Sequence, residues 1–153
     1  LLVVTTAHYG TAELRARYPQ DNIVIEDFVD FDFMLNHCDL FICNGGYGSV
    51  LLSLSKGVPL VVAGIREGKN DINAHIDYFN VGIDLRTESP QPKAIRRAAE
   101  RVLKEPQWKA NAARLRDEFS RYQPYEVIDA YLASESVHRQ DGPLPTEALK
   151  VAL

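Results

Sequence analysis

The sequence predicts an α/β fold, with a Rossmann-like parallel sheet flanked by helices and a helical C-terminal extension. Three observations lead there. Short apolar runs alternate with helix-period segments, as in βαβ units around a parallel sheet. Strand-like runs crowd the first half of the chain and helical patterns the second. Leu1-Leu2-Val3-Val4 and Leu60-Val61-Val62-Ala63 are continuously apolar rather than alternating, as expected of strands covered on both faces.

In chain order, Leu1–Val4 is the first strand, and Thr11 caps an amphipathic helix that runs to Tyr18 and stops at Pro19. Asn22–Ile25 is a second strand, Asp32–His37 makes one or two helical turns, and Leu40–Cys43 is a third strand. A helix from Tyr47 to Lys56 ends at Gly57 with Pro59 just beyond, the usual punctuation of a helix C-terminus. Leu60–Ala63 is the fourth strand. A loop rich in Gly and charge spans 64–70, Asp71 opens a helix to Phe79, and Val81–Asp84 is the last strand. After a break at Ser89–Pro92, helices are expected over Lys93–Lys104, Pro106–Tyr122 and Tyr125–Ser134. Residues 1–138 are read as one domain and 139–153, with their Gly and Pro, as a flexible tail.

Length and composition narrow the function classes. The 153 residues suit one domain. With 46% hydrophobic and 25% charged residues the chain is globular, and a net charge of -4 with scattered basic residues excludes a general nucleic-acid binder. No apolar run approaches the ~20 residues of a membrane span and no export signal is recognisable, and with two cysteines too few and too close for a disulfide framework a reducing, cytoplasmic setting is expected. Cys38 and Cys43 have no CxxC partner and no neighbours at metal-ligand spacing, so they read as small buried hydrophobes and no metal is expected.

The chemistry concentrates in Asp39–Pro59. A strand runs into Asn44-Gly45-Gly46-Tyr47-Gly48-Ser49 and straight on into a helix. Such a turn lets the backbone come close to a ligand. The helix start offers unpaired N–H groups and the positive end of a dipole, a place for a phosphate or diphosphate, and Ser49 adds a hydroxyl. It has neither the spacing of a dinucleotide GxGxxG nor the lysine of a P-loop.

The run NGGYGSVLLSLSKGVPLVV resembles the donor-binding signature of UDP-glycosyltransferases of the GT-B fold, including the bacterial macrolide and antibiotic glycosyltransferases. The resemblance extends upstream through NIVIEDFVDF (Asn22–Phe31) and downstream through Asn73-Ala74 to Val81-Gly82-Ile83, covering about residues 1–120. It implies that Gly45, Gly46, Gly48 and Ser49 cradle the diphosphate of a UDP- or TDP-hexose, which is the substrate, with no cofactor. Asn44 stands where the family usually has a histidine, and it can donate a hydrogen bond but carries no charge. Phe28 and Val29 lie in the loop that packs on the base. Leu52 replaces a glutamate that in many members binds the ribose. The acid–glutamine pair that holds the sugar aligns with Lys69-Asn70, with Glu67 and Asp71 on either side, so these four are the sugar-binding candidates.

The resemblance further implies that the catalytic base and the acceptor pocket belong to an N-terminal domain, so no catalytic residue is expected in this chain. Its own contribution would be to stabilise the leaving nucleoside diphosphate. The chain begins at Leu1, inside an apolar run, and reads as a C-terminal domain lacking its first strand. Loss of the partner domain would expose an apolar stripe and drive self-association. The rival readings are a stand-alone donor-binding subunit of a split transferase and a non-catalytic interaction module. His8, at the carboxyl edge of the first strand, is read as a loop histidine satisfied by its surroundings, and His37 and His75 as helix-surface residues.

Overall fold

The computed structural model describes residues 1–138, so the expected tail over 139–153 lies outside the described residues. The chain divides into two compact units, Leu1–Asp117 and a second beginning at Glu118.

The first unit holds β1 (Leu2–Thr5), α1 (Thr11–Arg17), β2 (Ile23–Glu26), α2 (Phe31–Met34), β3 (Phe41–Cys43), α3 (Tyr47–Ser55), β4 (Leu60–Val62), α4 (Lys69–Tyr78), β5 (Gly82–Asp84) and α5 (Pro92–Lys104). A 3-10 turn at Leu35–His37 follows α2, and α6 (Pro106–Phe119) starts in this unit. All strand pairs are parallel, as the alternation of apolar runs and helices requires.

The strands fall into two sheets. β1 pairs with β2, placing Leu2 opposite Ile23, and β3-β4-β5 form the other, with Phe41 opposite Leu60 and Leu60 opposite Gly82. β1 and β3 are therefore edge strands, and Ile42 on β3 is 43% exposed. The central strand β4 is entirely buried. Val61 packs with Ala98 and Val102 of α5 and Trp108 of α6, while alternation turns Leu60 and Val62 to the opposite face. Val50 and Leu54 of α3 and Ile76 of α4 are also buried.

Local chemistry sets several boundaries that differ from the sequence expectation. Gly10, not Thr11, is the N-cap of α1, because the Thr11 hydroxyl is engaged by the Asp27 carboxylate and by Thr6. α2 is capped by Asp30, whose Oδ1 accepts from Phe33 N at 3.1 Å. α4 begins at Lys69 rather than Asp71, whose carboxylate lies in the first helical turn, on the favourable side of the dipole. α6 ends at Phe119 rather than Tyr122, where Arg121 N and Tyr122 N donate to Glu118 O at 3.1 Å and Phe119 O at 3.0 Å, tight i→i+3 turns in place of α-helical bonds.

The second unit contains α7 (Pro124–His138), on which Tyr125, Val127, Ile128, Tyr131 and Leu132 are all exposed.

Candidate functional site

The glycine-rich turn lies where β3 gives way to α3. Gly46 is the N-cap of α3, in extended conformation, and no side chain caps the helix. The first intrahelical bond runs from Val50 N to Gly46 O at 3.0 Å. The amides of Tyr47, Gly48 and Ser49 thus have no protein partner among the described residues. Tyr47 and Gly48 are exposed and Ser49 is half-buried. These orphan N–H groups at the positive end of a nine-residue helix can hold an anionic oxygen.

Asn44 is exposed, and its Oδ1 accepts from Gly46 N at 3.2 Å, which fixes the turn and leaves the Nδ2 group free to donate outward. Beneath the turn lies Asn73 of α4, fully buried. Its Nδ2 donates to Gly64 O at 3.0 Å, and its Oδ1 has no partner. The Asn73 carboxamide occupies the space that a Cβ on Gly45 would need, and Gly45 has φ 74°. Gly64, at φ 136°, is crowded in the same way by the Asn44 carbonyl oxygen and by Lys69 Cδ. The turns after β3 and β4 are therefore interlocked at the carboxyl edge of the sheet, the usual ligand edge of an open α/β sheet.

The four residues expected at the sugar sit at the entry to α4. Lys69 Nζ is 2.7 Å from Glu67 Oε2, and the lysine side chain is only 16% exposed. Asn70 Nδ2 donates to Asp71 Oδ1 at 3.3 Å, and both residues are exposed. The pairing with Glu67 holds Lys69 more firmly in its charged form than usual.

Sequence reasoning overlooked Glu88. From the loop after β5 its Oε1 accepts from Ile65 N at 2.6 Å and Arg66 N at 2.8 Å, fastening the β4–α4 loop across 22 and 23 residues. Those two backbone bonds lower its carboxyl below the ordinary range, helped by the charges of Lys69 and Arg66 against partial desolvation. No motif signals such a long-range backbone clamp.

Phe28 and Val29 follow β2, in the loop that leads to α2. Phe28 is 63% exposed, and the ring of His8 meets it edge-on at 4.8 Å between centroids. His8 Nδ1 is 3.2 Å from Asp27 Oδ2, so this loop histidine is satisfied as expected. Leu52 is half-buried on α3. Cys43 is partly buried, and burial raises its thiol above the ordinary value. Among the described residues no cluster of His, Cys, Asp or Glu suits a metal ion, and no helix is long and apolar enough to cross a membrane.

Comparison with known proteins gives a consistent picture. The family described as "Erythromycin biosynthesis protein CIII-like, C-terminal domain" matches residues 2–133. The 4'-demethylrebeccamycin synthase of Lentzea aerocolonigenes is 38% identical over 120 residues, covering 78% of this chain and 28% of that protein. UDP-glycosyltransferase 2 of Phaeomoniella chlamydospora is 35% identical over 109 residues, 71% of this chain and 23% of that protein. The chain thus spans about a quarter of the length of these curated relatives. Among solved structures, a spinosyn rhamnosyltransferase complexed with thymidine diphosphate superposes with a TM-score of 0.67 at 25% identity, covering 78% of this chain and 34% of that one.

Proposed function

Since this chain belongs to the erythromycin biosynthesis protein CIII-like family of glycosyltransferase C-terminal domains, we propose that it binds a nucleoside-diphosphate sugar at the turn between β3 and α3. The observation that carries this is the set of three unpartnered amides on Tyr47, Gly48 and Ser49, at an uncapped helix start that follows Gly45, where no side chain would fit. In this reading Asn44 Nδ2, the amides of Tyr47, Gly48 and Ser49 and the Ser49 hydroxyl take the diphosphate, while the Gly46 amide stays with Asn44 Oδ1. Phe28 and Val29 pack on the base, and Glu67, Lys69, Asn70 and Asp71 surround the sugar. A donor of the UDP- or TDP-hexose type fits, in line with the thymidine diphosphate in the related rhamnosyltransferase.

The chain's part in catalysis is electrostatic. As the glycosidic bond breaks, charge builds on the departing diphosphate oxygen, and fixed N–H dipoles stabilise it without reorganising. The base that activates the acceptor hydroxyl, and the acceptor pocket, come from an N-terminal domain, the protein's principal partner in this reading. A parallel strand seated between the open edges of β1 and β3 would join the two sheets in the order of a doubly wound fold, which supports a longer α/β domain around the site.

Calorimetric titration with UDP, TDP and their hexose conjugates tests the proposal. Saturable binding, with the diphosphate favoured over the free nucleoside, is the expected result. The absence of binding by every nucleotide would point instead to an interaction module, the reading favoured by the substitutions at Asn44, Leu52 and Lys69.

A further inference from the structure

The phosphate cradle as described has no cation of its own: between Asn44 and Ser49 every group is neutral. A diphosphate brings at least two negative charges, and charged partners hold phosphates more strongly than neutral ones. A positive charge carried by α4, that of Lys69, lies beside the turn. Lys69 and Asn73 are four residues apart on that helix and so share a face. That face meets the two interlocked turns. Asn73 lies against Gly45, and Lys69 Cδ lies against Gly64, on the side of that glycine crowded by the Asn44 carbonyl oxygen. The stem of Lys69 is thus packed beside the cradle, and the side chain is only 16% exposed.

In the absence of ligand the ammonium is held by Glu67 at 2.7 Å. Glu67 is a poor anchor, because its side chain is 81% exposed and its backbone has φ 57°, an uncommon conformation for a residue with a side chain. An exposed partner of this kind contributes little. Glu88, the other acid acting on Lys69, is committed to the Ile65 and Arg66 amides. The fully buried Oδ1 of Asn73, which lacks a hydrogen-bond partner, marks the same junction as polar and unfinished.

We propose that Lys69 is the cation of the donor site, and that its ammonium leaves Glu67 to take the distal phosphate of the bound nucleoside diphosphate. This rests on the donor-binding reading above. It moves Lys69 from the sugar to the phosphate, and it supplies the charge that Asn44 cannot. Glu67 then acts as a latch that holds the lysine ready and is released towards the sugar when the donor arrives.

Calorimetry on the whole chain with UDP, UMP and UDP-glucuronate, and with their thymidine counterparts where the base demands it, tests the proposal in wild type, Lys69→Gln, Lys69→Arg and Glu67→Gln. Lys69→Gln is expected to weaken diphosphate binding roughly tenfold to a hundredfold while leaving monophosphate affinity unchanged. Lys69→Arg should retain most of the affinity, and Glu67→Gln should match or exceed wild type. Thermal unfolding of each variant close to that of wild type shows that the fold is intact. Equal losses for mono- and diphosphate, or no loss in Lys69→Gln, would overturn the assignment. A loss confined to UDP-glucuronate would place the ammonium on the sugar and overturn it as well. Failure of the wild type to bind any nucleotide would instead remove the donor reading on which the assignment stands.

Discussion

Asn73 fills the space beside the Cα of Gly45 and donates from Nδ2 to Gly64 O at 3.0 Å, so one buried side chain of α4 fixes the turns after both β3 and β4. Gly45 has φ 74°, and a Cβ there would collide with the Asn73 carboxamide. Gly45→Ala should therefore destabilise the chain by about 2–4 kcal/mol, combining left-handed strain with overpacking. Urea denaturation measures it. In the Gly45→Ala/Asn73→Ala double variant the combined cost should fall below the sum of the two single costs, because the collision is removed. Strict additivity would mean that the two residues do not touch.

Glu88 is the fastener of the β4–α4 loop. Replacing it with Ala frees the amides of Ile65 and Arg66 to solvent. Hydrogen exchange at those two amides should accelerate at least several-fold, while exchange in β4 stays slow. The wild-type clamp should also loosen in acid. The Glu88 carboxyl titrates below its ordinary value, so the clamp is intact above about pH 4.5 and is lost as pH falls through the lowered value. Unchanged exchange in Glu88→Ala would show that the loop is held by other means.

Asp27 sits among Thr11, His8 and Arg15. The Thr11 hydroxyl is the main cause of its lowered carboxyl pKa, the charges on His8 and Arg15 add to it, and partial desolvation opposes it. A folded-state value below the unfolded one stabilises the fold above about pH 4, and that contribution disappears as pH falls through the lowered value. Thr11→Val should move the Asp27 titration up towards the ordinary 3.8 and flatten the acid side of the stability curve. Carboxyl-detected NMR titration reads the shift directly, and an unmoved Asp27 would leave the pairing with His8 as the cause.

The Gly57-Val58-Pro59 stop, the apolar run ahead of Asn44 and the glycines after it made β3, α3 and β4 legible in the sequence to within a residue or two, because each boundary is set by its own local residues. The two-sheet arrangement was not legible, since strand order depends on which edges meet in space. Thr11 was misassigned as a cap because nothing local says that Asp27, 16 residues on, will take its hydroxyl. The glycine turn and the polar residues around the start of α4 could be named from the sequence. Glu88 and the packing of Asn73 on Gly45 could not, as both connect loops that only the fold brings together.

Trp108 holds α6 on the sheet. It is 6% exposed, packs with Val61, Ala98 and Val102, and its indole Nε1 donates to Glu105 Oε2 at 3.1 Å. Trp108→Ala should cost about 3–5 kcal/mol in chemical denaturation. Trp108→Phe, which keeps most of the apolar contact, should cost clearly less. Equal losses would mean that the indole hydrogen bond outweighs the packing.

The account turns on the start of α3. Titrating the nitrogen-15-labelled chain with UDP or TDP and following the backbone amides by NMR tests it most directly. Saturable shifts largest at Tyr47, Gly48 and Ser49 are predicted. Ligand-induced shifts confined to other parts of the chain, with these three amides unmoved, would contradict it.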